Sequence, residues 1–223
     1  MKLINVISCA CITAASATTN AGLVYGQAAH DQFQALQLQH NEGFNDFESL
    51  AAQTNLLPGT DPFGDGTHFA SVINTSGFPF GPEHVEVSNA YAPTTYGNSI
   101  VGSPFQFGSD DGRVGYEITF DTAQRRAGLL RLWNTSSLTS FYNAAGDLLA
   151  THQNTANQEF VGYMADSSDS STWVARILMD GALLDNTRQV GHSDDLYFGR
   201  VIPTPGTVTL LAIAGFVMNT RRR

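Results

Sequence analysis

Short runs of alternating apolar and polar residues dominate the middle of this 223-residue chain. Tyr116, Ile118 and Phe120 alternate with Glu117 and Thr119, which is the pattern of a strand buried on one face. Similar runs, separated by turn residues, predict about ten strands and little helix between residues 44 and 200. The other predicted strands are residues 46–50, 68–73, 84–88, 98–101, 127–133, 140–142, 148–150, 160–164, 173–179 and 196–198.

These strands predict an all-β fold, a jelly-roll-type antiparallel β-sandwich. Residues 127–133 are almost uniformly apolar, as in a central strand. Residues 143–147 contain Gly146 and predict a hairpin turn between two strands. In the run 173–179, Trp173, Ala175, Ile177 and Met179 are expected to share one face.

The amino terminus has the composition of a signal peptide. Lys2 precedes a mostly apolar run at residues 3–15, and small residues predict cleavage after Ala21. The alternative for residues 1–21 is a buried helix. Both cysteines fall within this segment, so the domain must be stabilised by its core or by a bound metal. The Gln-rich segment 22–43 could be a flexible lead, or could carry a short helix that lies on the domain.

The carboxyl terminus, residues 201–223, combines a proline-glycine break, a short apolar run at 207–218 and a basic cluster. Twelve apolar residues are too few for a permanent anchor, because spanning a bilayer takes roughly 20. The residues that form the break and the cluster are Pro203, Pro205, Gly206, Arg221, Arg222 and Arg223.

This order resembles the PEP-CTERM sorting signal of bacteria that make exopolysaccharide, with Pro203-Thr204-Pro205 where that family has Pro-Glu-Pro. The resemblance covers residues 202–223. It implies a C-terminal hydrophobic sorting helix with only transient membrane contact, and processing by an exosortase-type enzyme. The expected location of the mature protein is the cell surface or the extracellular matrix.

The charge of the chain becomes strongly negative once the two signals are set aside. All twenty Asp and Glu residues lie between Asp31 and Asp195, and seven arginines remain, giving a net charge near −13. Such a surface argues against nucleic acid as a partner, since that binding depends on phosphate neutralisation. It suits a calcium-rich external setting, or serves solubility alone.

The ends of the 44–200 domain, together with residues 97–99 and the 143–147 turn, resemble the jelly-roll ectodomains that precede PEP-CTERM signals. Those ectodomains are similar to carbohydrate-binding-module sandwiches. In such modules a structural calcium bridges the first and the last strand, where this chain has Glu48 and either Asp194 or Asp195. The alternative is that Asp194 and Asp195 only begin a strand and that Glu48 faces solvent.

Two further acidic loops, residues 61–66 and 109–112, could be turns or metal ligands, and the first lacks the ligand spacing of an EF-hand. Candidate platforms for a sugar are Tyr91, Tyr96 and Trp133, with core packing as the alternative for Trp133. Candidate hydrogen-bonding partners are Asn98, Asn134 and Arg131.

No catalytic motif stands out, because the six histidines are scattered and no nucleophile elbow or zinc helix is present in the sequence. The sequence therefore predicts a non-enzymatic, exported protein associated with exopolysaccharide. It would be a calcium-stabilised carbohydrate-binding-like module. The alternatives are a structural matrix protein without a specific ligand, and a glycoside hydrolase with an unrecognised carboxylate pair.

Overall fold

A computed structural model describes residues 22–73, 84–88, 98–103, 114–132, 138–156, 158–166, 168–180 and 192–201. All of them lie within the compact unit Asn20–Ile202. The helical elements are α1 (Gln27–His40) and one 3-10 turn at Ser170–Thr172. The strands are β1 (Gly22–Tyr25), β2 (Gly43–Asn45), β3 (Asn55–Leu56), β4 (Thr67–Ile73), β5 (His84–Ser88), β6 (Ser99–Ser103), β7 (Val114–Gln124), β8 (Arg126–Leu132), β9 (Leu138–Tyr142), β10 (Leu148–Gln153), β11 (Glu159–Met164), β12 (Val174–Asp180) and β13 (His192–Gly199).

The strands form two antiparallel sheets, which confirms the predicted all-β sandwich. One sheet has the order β1-β11-β8-β13-β6-β5-β3, with β2 beside β13, and the other has the order β10-β9-β12-β7-β4. The jelly-roll topology stays a prediction, and the sorting helix lies outside the described residues.

The main core lies between the two sheets and follows the alternation in the sequence. Tyr116, Ile118 and Phe120 of β7 are buried, as predicted, and they pack in one cluster with Leu129 of β8 and Leu196 of β13. Burial of such side chains is the largest favourable contribution to folding.

The predicted core-facing side of β12 was wrong near the beginning of the strand. In β12, Ile177 and Met179 are buried as predicted, but Val174 is buried in place of Ala175, which is only partly buried. The pairing of β12 with β7 shifts register between Val174 and Arg176, and this irregularity moves the alternation by one residue. Trp173 precedes the strand and packs against the core while partly exposed.

The hairpin turn was predicted correctly. Asn143 Oδ1 accepts the backbone N–H groups of Ala145 and Asp147, and Gly146 adopts a φ of 87°. This is Asx chemistry that closes the connection between β9 and β10.

Residues 22–43 pack on the sandwich rather than extending from it. Strand β1 pairs with β11, and α1 begins after Gly26 and ends at the left-handed Asn41, whose N–H donates to Gln37 O. Ala29, Phe33 and Leu36 are buried at helical spacing. They form a second core on the outer face of the first sheet, with Leu130, Leu132, Phe160, Met164 and Tyr197.

Both ends of the described chain lie at one end of the first sheet. Gly22 is opposite Met164, Met164 is opposite Arg126, and Arg126 is opposite Gly199. Three strand spacings separate Gly22 from Gly199, about 14 Å. A buried ion pair adjoins this row.

In that ion pair, Arg126 contacts Glu42, and its Nη1 donates to Val201 O at 2.8 Å. The N–H of Val201 donates to Glu42 Oε1 at 2.7 Å. The point at which the chain leaves the sandwich is therefore fixed by charge-assisted hydrogen bonds.

Candidate functional site

Strand β13 changes its neighbour halfway along its length. His192 and Ser193 pair with β6, whereas residues from Leu196 onward pair with β2. Between these two pairings lie Asp194 and Asp195, and the register against β8 also shifts there. Asp195 has a φ of 46°, in the left-handed region. The bulge leaves two acidic residues at a break in the pairing of β13 with its neighbouring strands.

The segment 46–50 was predicted as a strand, and this is wrong. Asn45 Oδ1 accepts the N–H of Phe47 at 2.9 Å, and Asp46 Oδ1 accepts the N–H of Glu48 at 3.2 Å. These side-chain contacts turn the chain out of β2. Phe47 has a φ of 58° and is fully buried, so the turn is held by the core.

The turn brings Glu48 to the beginning of β6. Glu48 Oε1 accepts the backbone N–H of Asn98, and Asn98 Nδ2 donates to Leu50 O at 2.8 Å. Asn98, which the sequence suggested as a partner for sugar hydroxyls, thus fastens the 46–50 loop to β6.

Three acidic side chains act on the buried Asp194 at this break. Asp194 is only 3% exposed. Burial raises the pKa of its carboxyl to about 8, and the charges of Asp195, Glu48 and Asp46 add to that effect. A buried carboxylate among others is unfavourable unless it is protonated or a cation is present.

A histidine of α1 also reaches the site. His30 Nε2 lies 3.5 Å from Asp195 Oδ2, and the His30 ring stacks on Phe160 at 5.0 Å between centroids. Burial raises the pKa of the Tyr197 hydroxyl, and the nearby Asp195 and Asp194 raise it further. The acidic break therefore lies beside the second core.

The donor set is of the type that calcium prefers, because Ca²⁺ takes six to eight oxygen ligands from carboxylates, carbonyls and water. Asp46 and Glu48 of the 46–50 loop and Asp194 of β13 supply carboxylate oxygens from two separate parts of the fold. Across the described ranges, however, no three His, Cys, Asp or Glu side chains lie close enough together to hold a metal. Backbone carbonyls or water would have to complete the shell.

The acidic loop at residues 61–66 is a turn. Asp61 accepts the backbone N–H groups of residues 63 to 66, at distances between 2.7 and 3.3 Å. The N–H of Gly66 is the main cause of a lowered pKa at Asp61. The carboxylate is thereby used in closing the loop.

Most residues predicted to bind sugar cannot be placed. Tyr91, Tyr96, Trp133 and Asn134 lie outside the described residues. So do the 109–112 loop and the sorting-signal residues Pro203, Pro205, Gly206, Arg221, Arg222 and Arg223. Arg131 is fully buried between the sheets and donates through Nη1 to Ser193 Oγ at 2.8 Å. It presents no surface to a sugar.

No protein-family model matches the chain, and no curated protein is significantly similar to it. Among the helices of the described residues, none is long and apolar enough to cross a membrane.

Sequence reasoning found Glu48, Asp194 and Asp195, but it missed Asp46 and His30. The sequence pattern assigned Asp46 to a strand. It left open whether the segment that contains His30 extends from the domain or packs on it. The only local signal for Asp46 was its position two residues before Glu48.

Proposed function

We propose that this chain is an exported, non-catalytic β-sandwich module of the cell surface or extracellular matrix, stabilised by calcium and associated with exopolysaccharide. The observation that carries the proposal is the buried Asp194 among Asp46, Glu48 and Asp195. A divalent cation there would offset the repulsion between the carboxylates. It would be held by Glu48 with Asp194 or Asp195, completed by backbone carbonyls or water, and would join the 46–50 loop to β13.

The role of such a cation is structural. Glu48 already connects the 46–50 loop to Asn98 at the start of β6, so an ion at Asp194 would tie together a loop and two strands that are distant in sequence. Binding to the folded state alone raises stability by mass action.

The exported location rests on the resemblance of the two chain ends to a signal peptide and a PEP-CTERM tail. An exosortase-type enzyme would process the tail after Val201.

The association with polysaccharide rests on the resemblance and on Tyr91 and Tyr96, which precede Asn98 in the sequence. Its test is retention of the full-length chain on immobilised cellulose, dextran, xylan, alginate and chitin, each with calcium and with a chelator. Calcium-dependent retention on one polymer supports the module. Retention on none would refute polysaccharide binding and favour a structural matrix protein.

A separate test concerns the tail. Replacing Pro203 and Pro205 with alanine should leave uncut precursor in the membrane fraction of the host, as measured by immunoblot. Normal maturation of this variant would refute the sorting-signal interpretation.

A further inference from the structure

The chain stays attached to the domain for two residues after β13 ends. The guanidinium of Arg200 lies over the ring of Trp173, at 5.5 Å from the ring centroid. Val201 is bound through its backbone, since its N–H donates to Glu42 Oε1 at 2.7 Å and its carbonyl accepts from Arg126 Nη1 at 2.8 Å. We call these contacts of Glu42 and Arg126 the Val201 clamp. They bind one residue by both of its backbone groups, as a neighbouring strand would.

The two side chains of the clamp come from distant parts of the sequence. Glu42 lies between α1 and β2, and its N–H donates to Gln37 O at 3.4 Å. Arg126 is the first residue of β8 and pairs with Gly199 of β13. The carboxylate of Glu42 lies against Gly199, where a Cβ would overlap it. The clamp therefore forms only when the amino-terminal segment, β8 and β13 have all reached their places.

Arg126 and Glu42 are unfavourable to bury, and their clearest effect is on position. Their side chains are 3% and 8% exposed. Burial lowers the pKa of Arg126 to about 10, so the guanidinium stays charged at neutral pH. A buried ion pair adds little net stability, because desolvation offsets most of the attraction. An apolar pair of similar volume would be about as stable, but it would not bind the backbone of Val201.

The clamp restrains both peptide bonds of Val201. The bound N–H belongs to the bond between Arg200 and Val201, and the bound carbonyl belongs to the bond between Val201 and Ile202. A protease binds its substrate as an extended backbone, so a bond must leave its partners in the fold before it is cut. Either bond is therefore cut only after the clamp opens. The clamp places no such restraint on the bonds that follow Ile202.

We propose that the Val201 clamp sets the limit of proteolytic processing, so that the tail is removed only at peptide bonds beyond Ile202 while the domain is folded. The end of β13 then stays intact when a protease removes the tail. The mature chain would keep Val201 in the clamp. This inference rests on the proposed processing of the tail, and it adds the residues that fix the limit of that processing.

Trypsin is a direct probe of the clamp, because it cleaves after Arg and the bond between Arg200 and Val201 is restrained there. The full-length chain in detergent is digested, and the carboxyl ends of the fragments are followed over time by mass spectrometry. A synthetic peptide of residues 196–206 gives the rate for the same bond without the fold. The test variant combines Glu42→Leu with Arg126→Met, which removes both charges and leaves neither one unpaired.

The matched control is Arg125→Met, next to the clamp in the sequence. Arg125 is 3% exposed, like Arg126, and it donates to the carbonyls of Ala165 and Asp166 rather than to Val201. The control therefore removes a buried guanidinium and leaves the clamp in place. Circular dichroism verifies that each variant is folded.

We expect the bond between Arg200 and Val201 to be cut about tenfold or more faster in the double variant than in wild type and in Arg125→Met, because two charge-assisted hydrogen bonds are lost. An equal rate in wild type and in the folded double variant would overturn the inference. Cleavage of wild type as fast as the peptide would overturn it as well. That comparison needs no variant, so the inference can be tested even if the double variant does not fold.

The position of the cut in the host separates this inference from the proposed function. The mature carboxyl end of wild type, measured by mass spectrometry, should lie beyond Ile202. A mature end at Val201 or earlier would overturn the inference and leave processing of the tail standing. Normal maturation after replacement of Pro203 and Pro205 would refute the sorting signal, whereas slow trypsin cleavage after Arg200 would still support the clamp.

Discussion

Replacing Asp194 with asparagine gives a sharp test of the acidic break, because the two side chains have nearly the same shape. In wild type, burial and three neighbouring carboxylates raise the pKa of Asp194 from 3.8 to about 8. The folded state therefore binds a proton more tightly than the unfolded state does. Without calcium, its contribution to stability is fully present below pH 4 and is lost as the pH rises to 8.

The size of this effect follows from the shift in pKa. Each pKa unit corresponds to about 1.4 kcal/mol, so the full shift sets an upper limit on the order of 6 kcal/mol. The neighbouring carboxylates are partly exposed and can take up protons, and both effects reduce this energy. We therefore expect a change in the free energy of unfolding of about 2–4 kcal/mol. For a unit of this length, that corresponds to a change in Tm of about 5–15 °C.

Asp194→Asn should raise Tm in chelator at pH 9 by this amount, and change Tm little at pH 4. It should also remove the stabilisation that calcium gives to wild type. The assay is thermal unfolding followed by circular dichroism at pH 4, 7 and 9, with calcium and with chelator.

The control is Asp31→Asn, which changes the charge equally at an exposed position whose hydrogen bond comes from Gln27 Nε2. An Asp194→Asn variant as unstable as wild type in chelator at pH 9 would refute the electrostatic argument. A full calcium response in that variant would refute the assignment of Asp194 as a ligand.

Four other substitutions test the remaining claims. Glu48→Gln should lower Tm only when calcium is present, and an equal drop in chelator would exclude a metal role. Phe33→Ala should cost about 3–5 kcal/mol in urea unfolding, because a fully buried ring is lost from the second core; a neutral result would mean that α1 does not stabilise the sandwich. Gly128→Ala should destabilise by about 1–3 kcal/mol, since its Cβ would lie 2.7 Å from the ring of Phe160. Asp121→Asn should lower the raised pKa of His68 toward 6.5 in an NMR titration, and an unchanged pKa would contradict their hydrogen bond.

His68 also makes the stability of the fold depend on pH. Its effect comes from a favourable hydrogen bond, whereas the effect of Asp194 comes from burial among like charges. The side-chain hydrogen bond with Asp121 is the main reason that the pKa of His68 is raised. The pair therefore stabilises the fold fully below pH 6.5, and this contribution is lost as the pH rises through the raised pKa. The contribution is small, because Asp121 is largely exposed.

The sequence by itself determined the strands whose alternation is regular, such as Tyr116 to Phe120, and the turn that Asn143 closes. Both depend on neighbours within a few residues, since side chains of a strand alternate in direction and an Asx side chain reaches only its own loop. Where the register shifts between Val174 and Arg176, the pattern placed Ala175 on the core face wrongly, whereas Ile177 and Met179 beyond the shift are buried as predicted.

Only the tertiary structure decided where the acidic residues meet. Glu48 and Asp194 are 146 residues apart in the sequence, and their proximity depends on β13 passing from β6 to β2 at a bulge. The contact of Tyr25 with His152 likewise depends on which strands lie at the sheet edges. Strand order and register arise from packing over the whole core, and short sequence patterns do not encode them.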